Sequence, residues 1–316
     1  MLDKPVLIVD GLNFFTRHFV VNPTMSQNGE HLGGFVGFLK GLRLLSERCN
    51  PEQIVVVWEG GGSMRRRAIM PNYKQGRRPQ KLNRYYEDDI PDTYANRNKQ
   101  IALLIESLKS VPIRQMYVSD CEADDVIAYM TKYHYRDKKC VVVSSDKDLY
   151  QLIDDRVTQW SPGQKKYITE KKVLEKFGVS VSNFVTARAF IGDPSDGIKG
   201  VSHAGFKSLS KRFPELAESK HVTVSDVIEG AHSLAETKKL KILDSIIEEG
   251  NVALSNWKLM YLDIKNLSGQ QIEKIKNSLD SFEPVRNKIS LMRILMREGV
   301  NNFDVDSFYM SIKNCK

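Results

Sequence analysis

Glu122-Ala123-Asp124-Asp125 crowds three carboxylates into four residues. Ser119 or Asp120 can cap a helix that starts there, and acids in a first turn are favoured by the positive helix end. Glu122 and Asp125 share one face at i,i+3 spacing, with Asp124 beside them. Like charges this close repel unless cations neutralise them, and hard divalent ions such as Mg²⁺ take oxygen ligands. A metal site is the favoured reading and simple capping its rival. Ser144-Ser145-Asp146-Lys147-Asp148 adds two acids, and Gly192-Asp193-Pro194-Ser195-Asp196-Gly197 adds another pair in a Gly/Pro-bounded loop. Taken alone, that last segment reads as a turn.

These acids need elements to bring them together. Short β-branched runs cover 5–9, 53–58 and 140–143, ending at Asp10-Gly11, Glu59-Gly60 and Ser144-Ser145-Asp146. A weaker run at about 113–118 leads to Ser119-Asp120, and 157–160 adds another. Helical patterns at 33–47, 98–108 and 123–133 lie between them. Strands alternating with helices predict an α/β fold with a mainly parallel central sheet. In such sheets the active crevice lies outside the carboxyl ends of the strands. Asp10, Glu59, Asp146 and the 122–125 group should therefore converge at one edge. One Asp at a strand end is commonly a turn or cap residue; four cases at the same end are a pattern. The later chain reads as helical at 169–177, 181–191, 204–213, 235–249 and 285–297, and the stretch after about 250 carries no readable motif.

The chain has 316 residues, 41% of them hydrophobic, enough for one large domain with appendages or two domains. No apolar run approaches the roughly 20 residues that span a bilayer. The short apolar run at the N-terminus lacks a small-residue cleavage site, so a cytoplasmic protein is expected. Cysteines 49, 121, 140 and 315 form no CxxC pair and have no histidine at zinc spacing, so they read as reduced, structural thiols. A net charge of +8 argues only weakly for a polyanion partner. Its distribution says more. From Gly60 to Arg84 there is no acid, while Arg65, Arg66, Arg67, Lys74, Arg77, Arg78, Lys81 and Arg84 are all basic. Cations clustered this way favour an anionic partner, with a solvated loop as the rival. The segment's place directly after Glu59, beside the acidic edge, favours function.

VLIVDG at 6–11, EADD at 122–125, SSDKDLYQL at 144–152 and GDPSDGIKGVSHAGFKSL at 192–209 occur in an order and spacing that resemble one family. It is the flap endonuclease and 5′→3′ exonuclease family, in its bacteriophage ribonuclease H form. Gln159-Trp160-Ser161-Pro162 favours the phage branch. The resemblance runs from the first strand to about residue 213. It implies a PIN-like 5′ nuclease core at 1–180, with a helical arch at about 60–98. A helix-hairpin-helix and a helical C-terminal region follow at 181–316.

The resemblance also implies two Mg²⁺ ions, with Mn²⁺ as the substitute. Asp10, Glu59, Glu122, Asp124 and Asp146 are the inner group, with Asp148 nearby. Asp125, Asp193 and Asp196 form the second group. Two cations about 4 Å apart can hold a nucleophilic water and stabilise the leaving oxygen, many ligands acting through water. The family usually has Asp where this chain has Glu59. A water-mediated ligand tolerates the extra methylene; alternatively, Glu59 only caps the loop at Gly60-Gly61-Gly62.

Arg66 or Arg67 followed by Pro71-Asn72-Tyr73-Lys74 resembles the family's arch motif. Lys74 is then expected to contact the scissile phosphate and Arg66 to clamp it bidentately. Arg65, Arg67, Arg77 and Arg78 are expected nucleic-acid contacts. Tyr73 is expected to stack on a base, worth about 1–3 kcal/mol, unless it is a core tyrosine. Asp88, Asp89 and Asp92 would lie on the far side of the arch. In the hairpin, Lys199, Gly200, Gly205 and Lys207 are expected to grip duplex phosphates. The family often has Gly-Ile-Gly at His203-Ala204-Gly205.

The implied substrates are 5′ flaps, nicked or branched duplex DNA, and RNA primers in RNA–DNA hybrids, during phage replication. The protein would be a monomer in the infected cell's cytoplasm, with no membrane contact and with a single-strand-binding protein or sliding clamp as partner. A non-catalytic junction-binding protein is the alternative, and it predicts lost carboxylates. A metallophosphatase is the third reading, and it needs neither arch nor hairpin.

Overall fold

The computed structural model describes residues 4–75 and 93–316. Six strands form one sheet: β1 (Val6–Asp10), β2 (Gln53–Trp58), β3 (Arg114–Tyr117), β4 (Cys140–Val143), β5 (Val157–Ser161) and β6 (Lys166–Ile168). Their order is β3-β2-β1-β4-β5-β6. The first five run parallel, and β6 pairs antiparallel with β5. Val9 is in register with Val56 on one side and Val143 on the other, so three strands end level.

Side chains alternate across the sheet. Leu7, Val9, Ile54, Val56, Val141 and Val143 enter one core, while Val6, Ile8, Val55, Val57, Cys140 and Val142 enter the opposite one. Because both faces are covered, these strands read as continuous apolar runs. β6 was not expected from the sequence. Three residues at a sheet edge are too few to leave a period-two signal.

Helices α1 (Gly11–Val21) and α2 (Gly33–Cys49) cover the first face. The short α3 (Met64–Ile69) sits at the carboxyl edge, and α4 (Thr93–Leu108) joins α1 and α2 through Leu103, Leu104 and Leu108. The opposite face carries α5 (Ala123–Tyr129), which runs on as a π turn, Met130–His134. A helical body follows, built from α6 (Glu170–Phe177), α7 (Phe184–Ile191), α8 (Phe206–Arg212), α9 (Val224–Ala235) and α10 (Lys241–Met260). The expected helix at 235–249 straddles a break, because the backbone at Leu240 is extended and α10 starts one residue later.

The C-terminal helices return to the sheet layers. α11 (Gly269–Asp280) sends Ile275 and Leu279 into the α5 side. α12 (Lys288–Arg297) and α13 (Val305–Ile312) bury Leu291, Leu295, Phe308 and Ile312 in the first core. All four cysteines are free thiols. No helix among the described residues is long and apolar enough to cross a membrane.

Candidate active site at the carboxyl edge of the sheet

Asp10 closes β1 and caps α1. Its Oδ1 accepts the Asn13 N–H at 3.1 Å, and its Oδ2 accepts the Ser144 hydroxyl at 3.0 Å. Ser144 Oγ in turn accepts the Asp146 N–H at 3.0 Å, and Asn13 Oδ1 accepts the Ser145 N–H at 2.9 Å. The ends of β1 and β4 are thus stitched together through polar side chains. Burial pushes the Asp10 carboxyl up to about 7; Asp146 and Glu59 add to the rise, while the bonds from Asn13 and Ser144 oppose it. Burial also holds Asp124 well above the usual carboxylate range, with repulsion from Asp146 and Asp10 behind it.

Glu59 follows β2 and is half-buried. The next residue explains its position. A Cβ at Gly60 would lie 1.8 Å from the Val118 carbonyl oxygen, so only glycine lets the loop after β2 touch the loop after β3. Gly60 O accepts the Asp120 N–H at 2.9 Å across that contact.

A second chain of charges ties the helical body to β4. The Asp148 N–H donates to Asp146 Oδ1 at 2.9 Å. Arg188 on α7 donates to Asp148 Oδ1 at 3.1 Å and to Asp193 Oδ2 at 2.6 Å. Burial raises the Asp148 carboxyl to about 7, with Asp146 adding and Arg188 opposing. Burial would raise Asp193 too, but Ser195 and Arg188 outweigh it and hold the carboxyl below its ordinary value. Sequence reasoning missed Arg188, whose one signal was a lone cation in the apolar run FVTARAFI.

The expected clamp has a different partner. Arg66 is 2% exposed, and its two terminal nitrogens bond Asp125 at 2.5 and 2.8 Å. Its Nε donates to the Leu259 carbonyl at 2.7 Å, and Asn266 donates to Asp125 Oδ1 at 3.0 Å. The fork that was to hold a phosphate therefore holds Asp125, and Asp125, expected among the metal ligands, is fully buried in that pair. Burial alone would lower the Arg66 pKa; Asp125 and Glu122 outweigh it and raise it. Tyr73 is also a correction. It packs with Val185, Ile198, Leu259 and Met260, and its hydroxyl donates to Glu122 Oε2 at 3.2 Å, which leaves no face for a base.

Lys74 reaches the carboxylates themselves. Its Nζ lies 2.7 Å from Glu122 Oε1 and 3.9 Å from Asp196 Oδ2. Burial would lower the ammonium pKa, but Glu122, Asp124 and Asp196 together raise it. The cleft lined by Lys74, Glu122, Asp124, Asp146, Asp148 and Asp196 has about 10 Å³ of free volume, room for about one water. Lys74 thus supplies the positive charge that the carboxylates demand. Among the described residues no three His, Cys, Asp or Glu side chains stand ready as direct ligands of one ion. The donors are nonetheless all carboxylate oxygens with raised or crowded charge, which fits a hard divalent cation held partly through water.

Lys199 and Lys207 are exposed on the hairpin. Gly200 has a packing role there, since a Cβ would meet the Ile191 carbonyl oxygen at 2.0 Å. Gly205 precedes α8, and its N–H is taken by Ser208 Oγ at 2.9 Å. Arg65 is half-buried, and exposed Arg67 donates to Gly61 O at 2.7 Å. Arg77, Arg78 and the rest of the expected arch from 76 to 92 lie outside the described residues.

The family model for the 5′-3′ exonuclease N-terminal resolvase-like domain matches residues 5–178. A 5′-3′ exonuclease of Aquifex aeolicus is 31% identical over 207 residues, 65% of this chain and 67% of that protein. A flap endonuclease Xni of a Shewanella species is 33% identical over 218 residues, 67% of this chain and 76% of that protein. The bacteriophage T5 flap endonuclease, solved as a pseudo-enzyme–product complex with DNA and metal ions, shares the fold. Its TM-score is 0.70 at 19% identity, covering 87% of this chain and 98% of that one. A family model matching over half of the chain and a relative 33% identical over two thirds of it lead to one conclusion: the chain belongs to the 5′→3′ exonuclease and flap endonuclease family.

Proposed function

We propose that this nuclease hydrolyses phosphodiesters at 5′ flaps, nicks and RNA primers paired to DNA, with two Mg²⁺ ions, in phage DNA replication. One observation carries the reading. Carboxylates from Asp10 to Asp196, remote in sequence, surround one cleft, where Arg66 and Arg188 are held by Asp125 and by Asp148 and Asp193 while Lys74, a mobile type of side chain, pairs with Glu122. Divalent cations held there supply Lewis acidity toward water and the leaving oxygen. The reaction joins a water oxygen to phosphorus and breaks a P–O bond, and the departing oxygen takes a proton.

Each residue then has a task. Asp10, Asp124 and Asp146 hold negative charge at the cleft, with Asn13 and Ser144 fixing its direction. Glu59 adds to that field from β2. Arg188 fixes Asp148 against Asp193 and so couples the hairpin loop to the sheet. Arg66, Asp125 and Asn266 form a buried strut that holds α3 in place. Lys74 exchanges Glu122 for the scissile phosphate and sets its ammonium where negative charge develops. Lys199 and Lys207 take duplex phosphates without reading sequence. A single-strand-binding protein or sliding clamp is the proposed replication partner.

Digestion of a 5′-labelled flap duplex tests this. Wild type should cut in Mg²⁺ and not in EDTA. Asp124→Asn should cut about 10²–10³-fold more slowly while binding the flap normally. Robust cutting in EDTA would remove the metal, and binding without cutting by wild type in Mg²⁺ would favour a junction-binding protein.

A further inference from the structure

Behind the Arg66–Asp125 strut lies a second concavity. It is about 570 Å³ in volume and runs between α3, the end of β3 and α11. Asn266 lines it and donates to Asp125 Oδ1, and Asp125 holds Arg66, which lines the carboxylate cleft, so the chain Asn266–Asp125–Arg66 links the two concavities. Its charged lining is Arg65, Lys265 and Lys274 against one acid, Asp120. Among the described residues no salt bridge neutralises these three cations. Arg65 donates one bond, to the Lys258 carbonyl at 3.1 Å. Lys274 lies over the Tyr117 ring at 5.5 Å, and Tyr117 is 53% exposed at the edge of the sheet. Met64, 64% exposed, forms an apolar lip.

Open cations spaced along a groove beside an exposed aromatic suit one ligand chemistry: a single-stranded polynucleotide. The backbone lies along the charges, and a base finds the ring. A duplex has no free bases for Tyr117, and an acidic peptide has no use for its face. The acidic cleft borders the same strut through Arg66, so a single strand leaving the cleft past α3 reaches this groove. We propose that Arg65, Lys265, Lys274 and Tyr117 form a binding track for the 5′ single strand of the substrate. This rests on the nuclease reading and adds the path of the flap to it. The track would make longer flaps bind more tightly than short ones.

Equilibrium binding in EDTA separates the two claims, because it does not require cutting. Duplexes carrying a one-nucleotide or an about ten-nucleotide 5′ flap are titrated against full-length wild type and K265E/K274E across a salt series. In wild type the long flap should bind more tightly. In the variant the ratio of long-flap to one-nucleotide-flap affinity should fall roughly tenfold, and the salt slope for the long flap should drop by about 1.4, or 0.7 per lost phosphate contact. Tyr117→Ala should lower the same ratio without changing the slope, since it carries no charge. A ratio that does not depend on these residues, or equal loss for both flaps, overturns the track. Failure of wild type to cut either flap in Mg²⁺ overturns the nuclease reading instead, and leaves the binding ratio to judge the track.

Discussion

At the scale of single residues, position in the fold decides what a charge can do. Lys74 and Arg66 are eight positions apart, both basic and both at the cleft, yet the Lys74 side chain is partly exposed beside Glu122 while Arg66 is buried in its pair with Asp125. Breaking a buried pair by deleting one partner leaves an uncompensated charge, at a cost of about 3–5 kcal/mol. Arg66→Met keeps most of the volume and strands Asp125. It should therefore lower the midpoint of thermal unfolding sharply, even without nucleic acid. An unchanged midpoint, with weakened substrate binding alone, would return Arg66 to the role of phosphate clamp. The sequence offered no way to choose, because Arg66 and Asp125 stand 59 residues apart and their bond has no local periodicity. The acids were legible for the opposite reason: they follow directly on apolar strands or crowd one helix turn.

At the scale of elements, α1 shows how tightly the sheet layer is packed around the site. Asp10 caps it, and its other end presses His18 against α2, with the Phe14 ring edge-on at 4.8 Å. Among the described residues, His18 Nε2 is buried with no hydrogen-bond partner. Burial, helped by Arg17, pushes its pKa down to about 4. The unfolded chain takes up a proton at the ordinary value of 6.5 while the folded chain does not. Stability should therefore be complete above about 6.5 and fall as pH drops toward about 4, by about 1.4 kcal/mol per unit in that window. Urea unfolding from pH 7 to pH 4.5 checks this by comparison with His18→Gln, which should show a shallower loss. Identical slopes would remove His18 from the account. The elements themselves were readable where both faces of a strand are buried, as in β1, β2 and β4. The break before α10 and the antiparallel β6 were not, since a turn and a three-residue edge strand leave too few residues for any period to register.

At the scale of the whole molecule, a chain of net charge +8 gathers acids from β1, β4, α5 and the loop after α7 at one edge and keeps cations around them. Packing explains why that edge holds its shape. α11 braces one face of the sheet, while α12 and α13 come back over the other with Phe308 and Ile312 fully buried. That return was invisible in the sequence, because amphipathic helices declare a buried face but not what covers it. The central claim is that this acidic edge is a cation site. Anomalous diffraction from crystals soaked in Mn²⁺ addresses it directly. Peaks should appear among Asp10, Asp124 and Asp146, with Lys74 turned away from Glu122. A cleft without peaks, with Lys74 still on Glu122 and manganese only elsewhere on the surface, would contradict it.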